Sequence, residues 1–157
     1  MKRADALLGG STVAGLAAVG AALVSQQMFG IQPCPWCVFQ RLLFVLVAAG
    51  ALVGLVWRSP LGRRVGAALA LVFALGGVAA ALYQHFVAAA TNTCNVSLAE
   101  KIIAALGLDA SLPDVFMATA SCADAAVKLV GVPYEFWSLA LFALIALAMA
   151  SVLRRGR

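Results

Sequence analysis

The sequence predicts an all-α membrane protein: a four-helix transmembrane bundle with both termini in the cytoplasm and a long second outer loop carrying a short amphipathic helix. Three observations lead there. Of the 157 residues, 64% belong to the apolar set that includes Tyr, Trp and Cys, and 11% are charged; ordinary soluble domains run near 45–50% and about 25%. A mean hydropathy of +1.03 excludes a soluble globular domain, and so little charge also excludes disorder. The charges are segregated as well. Eight of the eleven basic residues form three clusters, Lys2/Arg3, Arg58/Arg63/Arg64 and Arg154/Arg155/Arg157, whereas five of the six acids (Glu100, Asp109, Asp114, Asp124, Glu135) lie between residues 100 and 135. That pattern is membrane topology, in which short cytoplasmic loops collect Lys and Arg. The net charge of +5 therefore does not point to nucleic acid, since no basic stripe interleaved with aromatics exists.

A bilayer core takes about 20 mostly apolar residues in a helix. Four stretches supply them, at about 6–24, 38–57, 65–87 and 134–153, within a single integral membrane domain 1–157. The basic clusters precede the first stretch, join the second to the third and follow the fourth. Both ends and residues 58–64 are thus expected in the cytoplasm, with 25–37 and 88–133 on the other side. The first apolar run is too long for a signal-peptide core of 7–15 residues, so it is expected to stay as a span. Gly50 and Gly54 form a small-xxx-small pair that suits close helix packing. Trp36, Trp57, Tyr83, Tyr134 and Trp137 fall near span ends, where aromatic side chains anchor at the interface. Loops beyond about 12–15 residues usually carry function, and the second outer loop is longer. Within it Ser97–Leu108 reads as an amphipathic helix with Leu98, Ile102, Ala105 and Leu106 on one face, fit for the headgroup layer or for the top of the bundle.

The four cysteines all fall in the outer segments, where disulfides persist. Four cysteines allow three pairings. Cys34-Pro-Trp-Cys37 strongly favours Cys34–Cys37, which leaves Cys94–Cys122. On the loop-entropy account the second bridge restrains the unfolded loop by about 3–4 kcal/mol, so a structural role for it is reasonable. A Cys-x-x-Cys ring is small and strained and adds little stability, but it is readily reduced and re-formed. A zinc site on all four sulfurs is the competing reading; it normally uses two Cys-x-x-Cys knuckles, and the second is missing.

Pro33 and Pro35 break the chain just before the second span, so Cys37 falls near a helix N-terminus, where the macrodipole favours an anion. Arg41 follows at i+4, one turn deeper on the same face. It either snorkels to the surface or serves as a fixed cation beside the sulfur. His85, the single histidine, lies at the outer end of the third span; an interfacial histidine is commonly just hydrogen-bonded, and at this depth it can also act on the site.

Taken together, four spans, Cys34-Pro-Trp-Cys37-Val-Phe-Gln-Arg41 entering the second span, Tyr83-Gln-His85 ending the third, and Cys94 and Ser-Cys122-Ala-Asp beyond resemble the bacterial disulfide bond formation protein B (DsbB) family over nearly the whole chain. The resemblance implies a multi-pass inner-membrane enzyme with its cysteines on the periplasmic side. Such an enzyme reoxidises a periplasmic thioredoxin-fold dithiol oxidase of the DsbA type and passes the electrons to the membrane quinone pool. The sequence does not identify the quinone; ubiquinone is the expected acceptor, with menaquinone as the alternative. The resemblance further implies that Cys94–Cys122 exchanges with the partner, that Cys34–Cys37 reoxidises that pair, that Cys37 meets the quinone, and that Arg41 and His85 lie near it. One departure is visible: the position before the arginine, often acidic in the family, is the neutral Gln40. The competing families are vitamin K epoxide reductase-like enzymes, which usually carry the quinone-facing Cys-x-x-Cys on the last span, and cysteine-stapled or metal-binding membrane proteins without enzymatic activity.

Overall fold

A computed structural model describes residues 2–91, 97–125 and 128–155. The long helices are α1 (Lys2–Phe29), α2 (Pro35–Val56), α3 (Pro60–Tyr83) and, last in the chain, α7 (Tyr134–Arg155). The outer loop contributes α4 (Leu98–Ala105), α5 (Leu108–Ser111), α6 (Pro113–Phe116) and two-residue strands β1 (Lys128–Leu129) and β2 (Val132–Pro133). Among the described residues, four helices are long and apolar enough to cross a membrane, Arg3–Phe29, Pro35–Val56, Pro60–Ala88 and Tyr134–Arg154. α1 and the last helix run past the apolar stretches that mark them, through Lys2 to Asp5 at the start of the one and Arg154 and Arg155 at the end of the other, while α2 and α3 begin earlier than expected, each at a proline. The 28 residues of α1 reach about 42 Å at 1.5 Å per residue.

The starts of α2 and α3 use the same local chemistry. Ser59 caps α3 by accepting from the Gly62 amide at 3.0 Å, and Pro60 follows, its missing N–H falling where no helical partner exists. Cys34 and Pro35 repeat this at α2. The far end of α3 is irregular: Gln84–Ala88 form a π turn, with the Ala89 amide bonding to the Gln84 carbonyl, before a final α turn Ala89–Thr91.

The helices pack in the order α1, α2, α3, α7, with only sparse contact between α1 and α7. Small residues set the closeness. A Cβ on Gly66 would lie 2.4 Å from the Gly54 amide nitrogen and one on Gly50 3.0 Å from that of Ala70, so α2 and α3 meet backbone to backbone at the glycine pair noted in the sequence. Gly77 admits the ring of Phe142 from α7, which stacks on Phe44 of α2 with centroids 3.8 Å apart. Phe142, Leu8 and Met149 are fully buried, while Val13, Leu16, Leu75, Leu144 and Leu147 stay exposed on the outer faces. An apolar exterior of this kind suits lipid. At the end opposite the long loop, Arg63 donates to both carboxylate oxygens of Asp5 at 2.6 and 3.3 Å, joining α3 to α1.

The outer loop folds over the bundle. Ser97 caps α4 by accepting from the Glu100 amide. The helix seats Ile103 against Val38 and Leu42 of α2, with Phe116 completing the cluster, while Ala99 is buried in the main core of the bundle. The seated face is rotated from the expected one: Ile102 is half-buried, whereas Leu98 and Leu106 are exposed. The apolar arc of this helix is wider than one packing face, and the small Ala99 lets its side approach α2. Trp36 also differs from expectation. It is buried, its ring 4.7 Å from that of Tyr83 and edge-on to Phe39, because α2 turns its first residues inward. Trp57, Tyr83 and Trp137 are about half exposed. Just before α7, β1 and β2 pair antiparallel around Val130 and Gly131, whose φ values of 55° and 81° suit a two-residue hairpin turn. This hairpin delivers Tyr134 and Glu135 to the bundle rim.

Candidate functional site

Cys34 is the N-cap of α2, extended at φ −85° and ψ 166°. Its sulfur accepts from the Cys37 amide at 3.2 Å. Pro35 and Trp36 fill the first helical positions, so Cys37 is the third residue of the helix and its side chain returns to the cap. The two sulfurs lie 2.7 Å apart, both free thiols, Cys34 fully buried and Cys37 partly exposed. The hydrogen bond with Cys37 and burial hold the Cys34 thiol well above the ordinary range for cysteine.

Two buried amides stand behind Cys37. Gln40 Nε2 donates to Gln84 Oε1 at 2.6 Å, and Gln84 Nε2 donates to Cys37 Sγ at 3.3 Å. The first bond orients the second amide, so its NH2 points at the sulfur. Gln40 is thus a positioning group here, a role that needs no acidic residue. Gln84 is a site residue that the sequence reading missed. Its burial continues the inward stripe of Ala70, Ala74, Gly77 and Ala81 at ordinary helical spacing, but nothing local to α3 shows that this stripe ends against Cys37.

Arg41 is buried at the same rim. Its Nη1 donates to Gln26 Oε1 on α1 at 3.0 Å and to the Val115 carbonyl of the outer loop at 2.9 Å. The arginine therefore neither snorkels outward nor stands idle; it ties α1, α2 and the loop together beside Cys37.

Where α1 and α7 diverge, a cavity of about 510 Å³ opens. Cys37, Gln40, Arg41, Gln84, Tyr134 and Glu135 line its loop end, and Ala18, Ala21, Phe44, Leu141 and Leu144 line the part that runs between the helices. Small-molecule sites commonly span 300–1,000 Å³ with apolar walls and a few convergent polar groups, and this one fits. His85 does not line it. Its Nδ1 lies 2.7 Å from Glu135 Oε1, and Glu135 stands between the imidazole and the cavity. Glu135 is the second site residue missed from sequence; an acid near a span end reads there as ordinary loop charge.

Cys122 is buried, disulfide-bonded, and shares the apolar cluster of Cys34 and Trp36. The Thr119 and Ala120 amides both donate to the Pro33 carbonyl, at 3.0 and 3.2 Å, which ties the chain before Cys122 to the residue preceding Cys34. Cys94 lies outside the described residues. The structure thus brings Cys34, Cys37 and Arg41 together, sets His85 one residue behind them, and draws Cys122 to the same rim.

Residues 4–152 match the family described as Disulfide bond formation protein DsbB. Similar proteins include the Disulfide bond formation protein B of Dechloromonas aromatica, 32% identical over 150 residues covering 91% of this chain and 87% of the relative. That of Nitrosospira multiformis is 35% identical over 132 residues, covering 82% and 78%. Disulfide bond formation protein B 1 of Pseudomonas savastanoi is 31% identical over 143 residues, covering 90% and 85%. With four apolar membrane-length helices and a Cys-x-x-Cys opening onto a cavity, the chain belongs to the disulfide bond formation protein B (DsbB) family of membrane thiol oxidoreductases.

Proposed function

We propose that the protein is a quinone-dependent protein thiol oxidoreductase of the bacterial inner membrane. It reoxidises a periplasmic DsbA-type dithiol oxidase and delivers the electrons to ubiquinone, with menaquinone as the alternative acceptor. The observation that carries this reading is the placement of Cys37 on the wall of the cavity, with Arg41 and the Gln84 amide beside it. The donor set fits a quinone: the polar groups at the loop end would hold the ring oxygens, and the alanine and leucine walls would take an isoprenoid tail. A quinone bound there supplies a two-electron, two-proton acceptor.

The rest is chemistry of the chain's own residues. Cys94 and Cys122 exchange with the partner's dithiol through a mixed disulfide. The resulting dithiol reduces Cys34–Cys37, which the ties from Thr119 and Ala120 to Pro33 keep close. Cys37 presents its sulfur to the cavity, and Cys34 closes the ring behind it. Arg41 holds a positive charge in a water-poor rim, where preorganised charges act most strongly on developing anions.

The test is anaerobic incubation of the purified protein with a reduced DsbA-type partner and a short-chain ubiquinone, following quinone absorbance and partner thiols. Catalytic loss of both signals is expected. Cys37→Ser abolishes it; Cys94→Ser leaves Cys34–Cys37 able to react with quinone but stops turnover of the partner. A wild-type protein that never bleaches quinone when fed dithiol overturns the proposal.

A further inference from the structure

Glu135 is 5% exposed and lines the cavity. One carboxylate oxygen, Oε1, is held by His85 Nδ1, and the other, Oε2, is buried without a hydrogen-bond partner among the described residues. An unpaired buried carboxylate oxygen is expensive, and native structures seldom keep one without a use. The cavity's cation does not neutralise it: Arg41 Nη1 is engaged by Gln26 and the Val115 carbonyl, and the one ion pair of Glu135 among the described residues is with His85. His85 itself is one-third exposed, lies outside the cavity lining, and is flanked edge-on by the rings of Phe86 and Phe136. A carboxyl group inside and an imidazole reaching outside, joined at 2.7 Å, form a two-residue path for a proton across the cavity wall.

We propose that Glu135 is the catalytic proton donor of the cavity and His85 the positioning residue that reprotonates it, a reading that rests on the cavity being the quinone site. Oxidation of the Cys34/Cys37 dithiol to a disulfide yields two electrons and two protons, and a quinone takes up two of each to become a quinol. A quinone carries its two oxygens at opposite edges of its ring, so with Cys37 on the α2 wall a sulfur proton would serve one edge and a donor on α7 would serve the other. Glu135 gives the proton from Oε2; His85 Nδ1–H returns one to Oε1, and a half-turn of the carboxyl group moves it to Oε2. His85 Nε2 takes a proton from water outside, replacing the thiol proton that leaves to solvent. Proton exchange with water at the exposed face then returns His85 from its Nε2–H to its Nδ1–H tautomer, so two electrons and two protons are transferred with no net change in the pair.

His85 is the single histidine, so 15N-histidine labelling gives one imidazole to follow. Titration with a short-chain ubiquinol is expected to shift both ring nitrogen signals in the wild type, because a hydroxyl donating to Oε2 changes the basicity of Oε1, and to leave them unmoved in Glu135→Gln. In single turnover of the prereduced protein with the matching ubiquinone, Glu135→Gln is expected to slow quinol formation about 10²-fold, the scale of a lost general acid, while the quinone dissociation constant changes less than about threefold. His85→Ala slows it similarly, and added imidazole restores the rate. Glu135→Gln at the wild-type rate, equal losses of binding and rate, or signals that do not move in the wild type overturn the proposal. A prereduced wild type that fails to reduce the quinone removes the functional reading and this one with it; reduction by the wild type with an unaffected Glu135→Gln removes this one alone.

Discussion

Replacing Arg41 with Gln separates two roles that a cation beside Cys37 can have. Its Nη1 donates to the Val115 carbonyl at 2.9 Å and to Gln26 at 3.0 Å, so the side chain is also a strap over the outer loop. A hydrogen bond from a charged donor contributes about 1.5–3 kcal/mol. Losing the one to Val115 alone raises the opening equilibrium of the segment around α6 by about 10- to 150-fold, at tenfold per 1.4 kcal/mol. The bundle itself should not weaken, because removing a buried charge also removes its desolvation cost. Hydrogen exchange reads the difference directly. The amides of Val115, Phe116 and Met117 bond to the carbonyls of Leu112 and Pro113, and peptides covering them should exchange 10- to 150-fold faster in Arg41→Gln. Peptides from the middle of α2 and α3 should keep wild-type protection, and the apparent KM for quinone should rise. Unchanged exchange at residues 112–118 would refute the strap, and unchanged quinone kinetics would reduce Arg41 to a structural tie.

Gln84→Ala removes the donor to Cys37 Sγ and strands the Gln40 amide in a buried site; an unsatisfied buried amide costs about 1–3 kcal/mol, which thermal unfolding in detergent should show together with slower alkylation of Cys37. Gly77→Val places a Cβ 2.4 Å from the ring of Phe142 and must break its stack on Phe44; overpacking costs about 1–3 kcal/mol, seen as a lower unfolding temperature, whereas Gly10→Ala, with open space around its Cβ position, should be neutral. The raised Cys34 thiol remains protonated as pH climbs from 7 to 9, so iodoacetamide should label Cys37 well ahead of Cys34 throughout that window. Peptide mapping that found equal labelling would contradict the burial and hydrogen bond assigned to Cys34.

The four long helices were legible because hydropathy and basic clusters act on whole segments and do not depend on contacts. Cys34, Cys37 and Arg41 were legible for a similar reason: they lie within eight residues of one another on a single helix start. What the sequence concealed depends on side chains meeting across helices. Gln84 meets Cys37 from another helix 47 positions away, and Glu135 reaches His85 across 50; neither residue type is unusual at a span end. The seating of α4 was hidden for another reason. Six apolar positions spread over more than half its circumference, and the choice among them was made by Val38, Leu42 and Phe116, which no local pattern contains.

The outer loop has two demands on it that pull in opposite directions. For exchange with an outside dithiol its cysteines must be reachable, yet Cys122 is buried in the cluster that holds Cys34. Its ties are of a kind that reconciles the two. Thr119 and Ala120 share one acceptor, the Pro33 carbonyl, and such backbone bonds contribute about 0.5–1.5 kcal/mol each. The apolar seat adds Phe116 and Ile103, but no helix longer than eight residues is present among the described residues of the loop. A segment held by a few modest contacts opens at the low end of the stability scale, while the glycine-packed helices beneath it do not. The proposed relay therefore needs motion only in the loop. Cys34 and Cys37, fixed by the cap of α2, stay in place while the other pair comes and goes, and tightening the loop with a second strap should slow partner turnover without slowing the reaction of Cys37 with quinone.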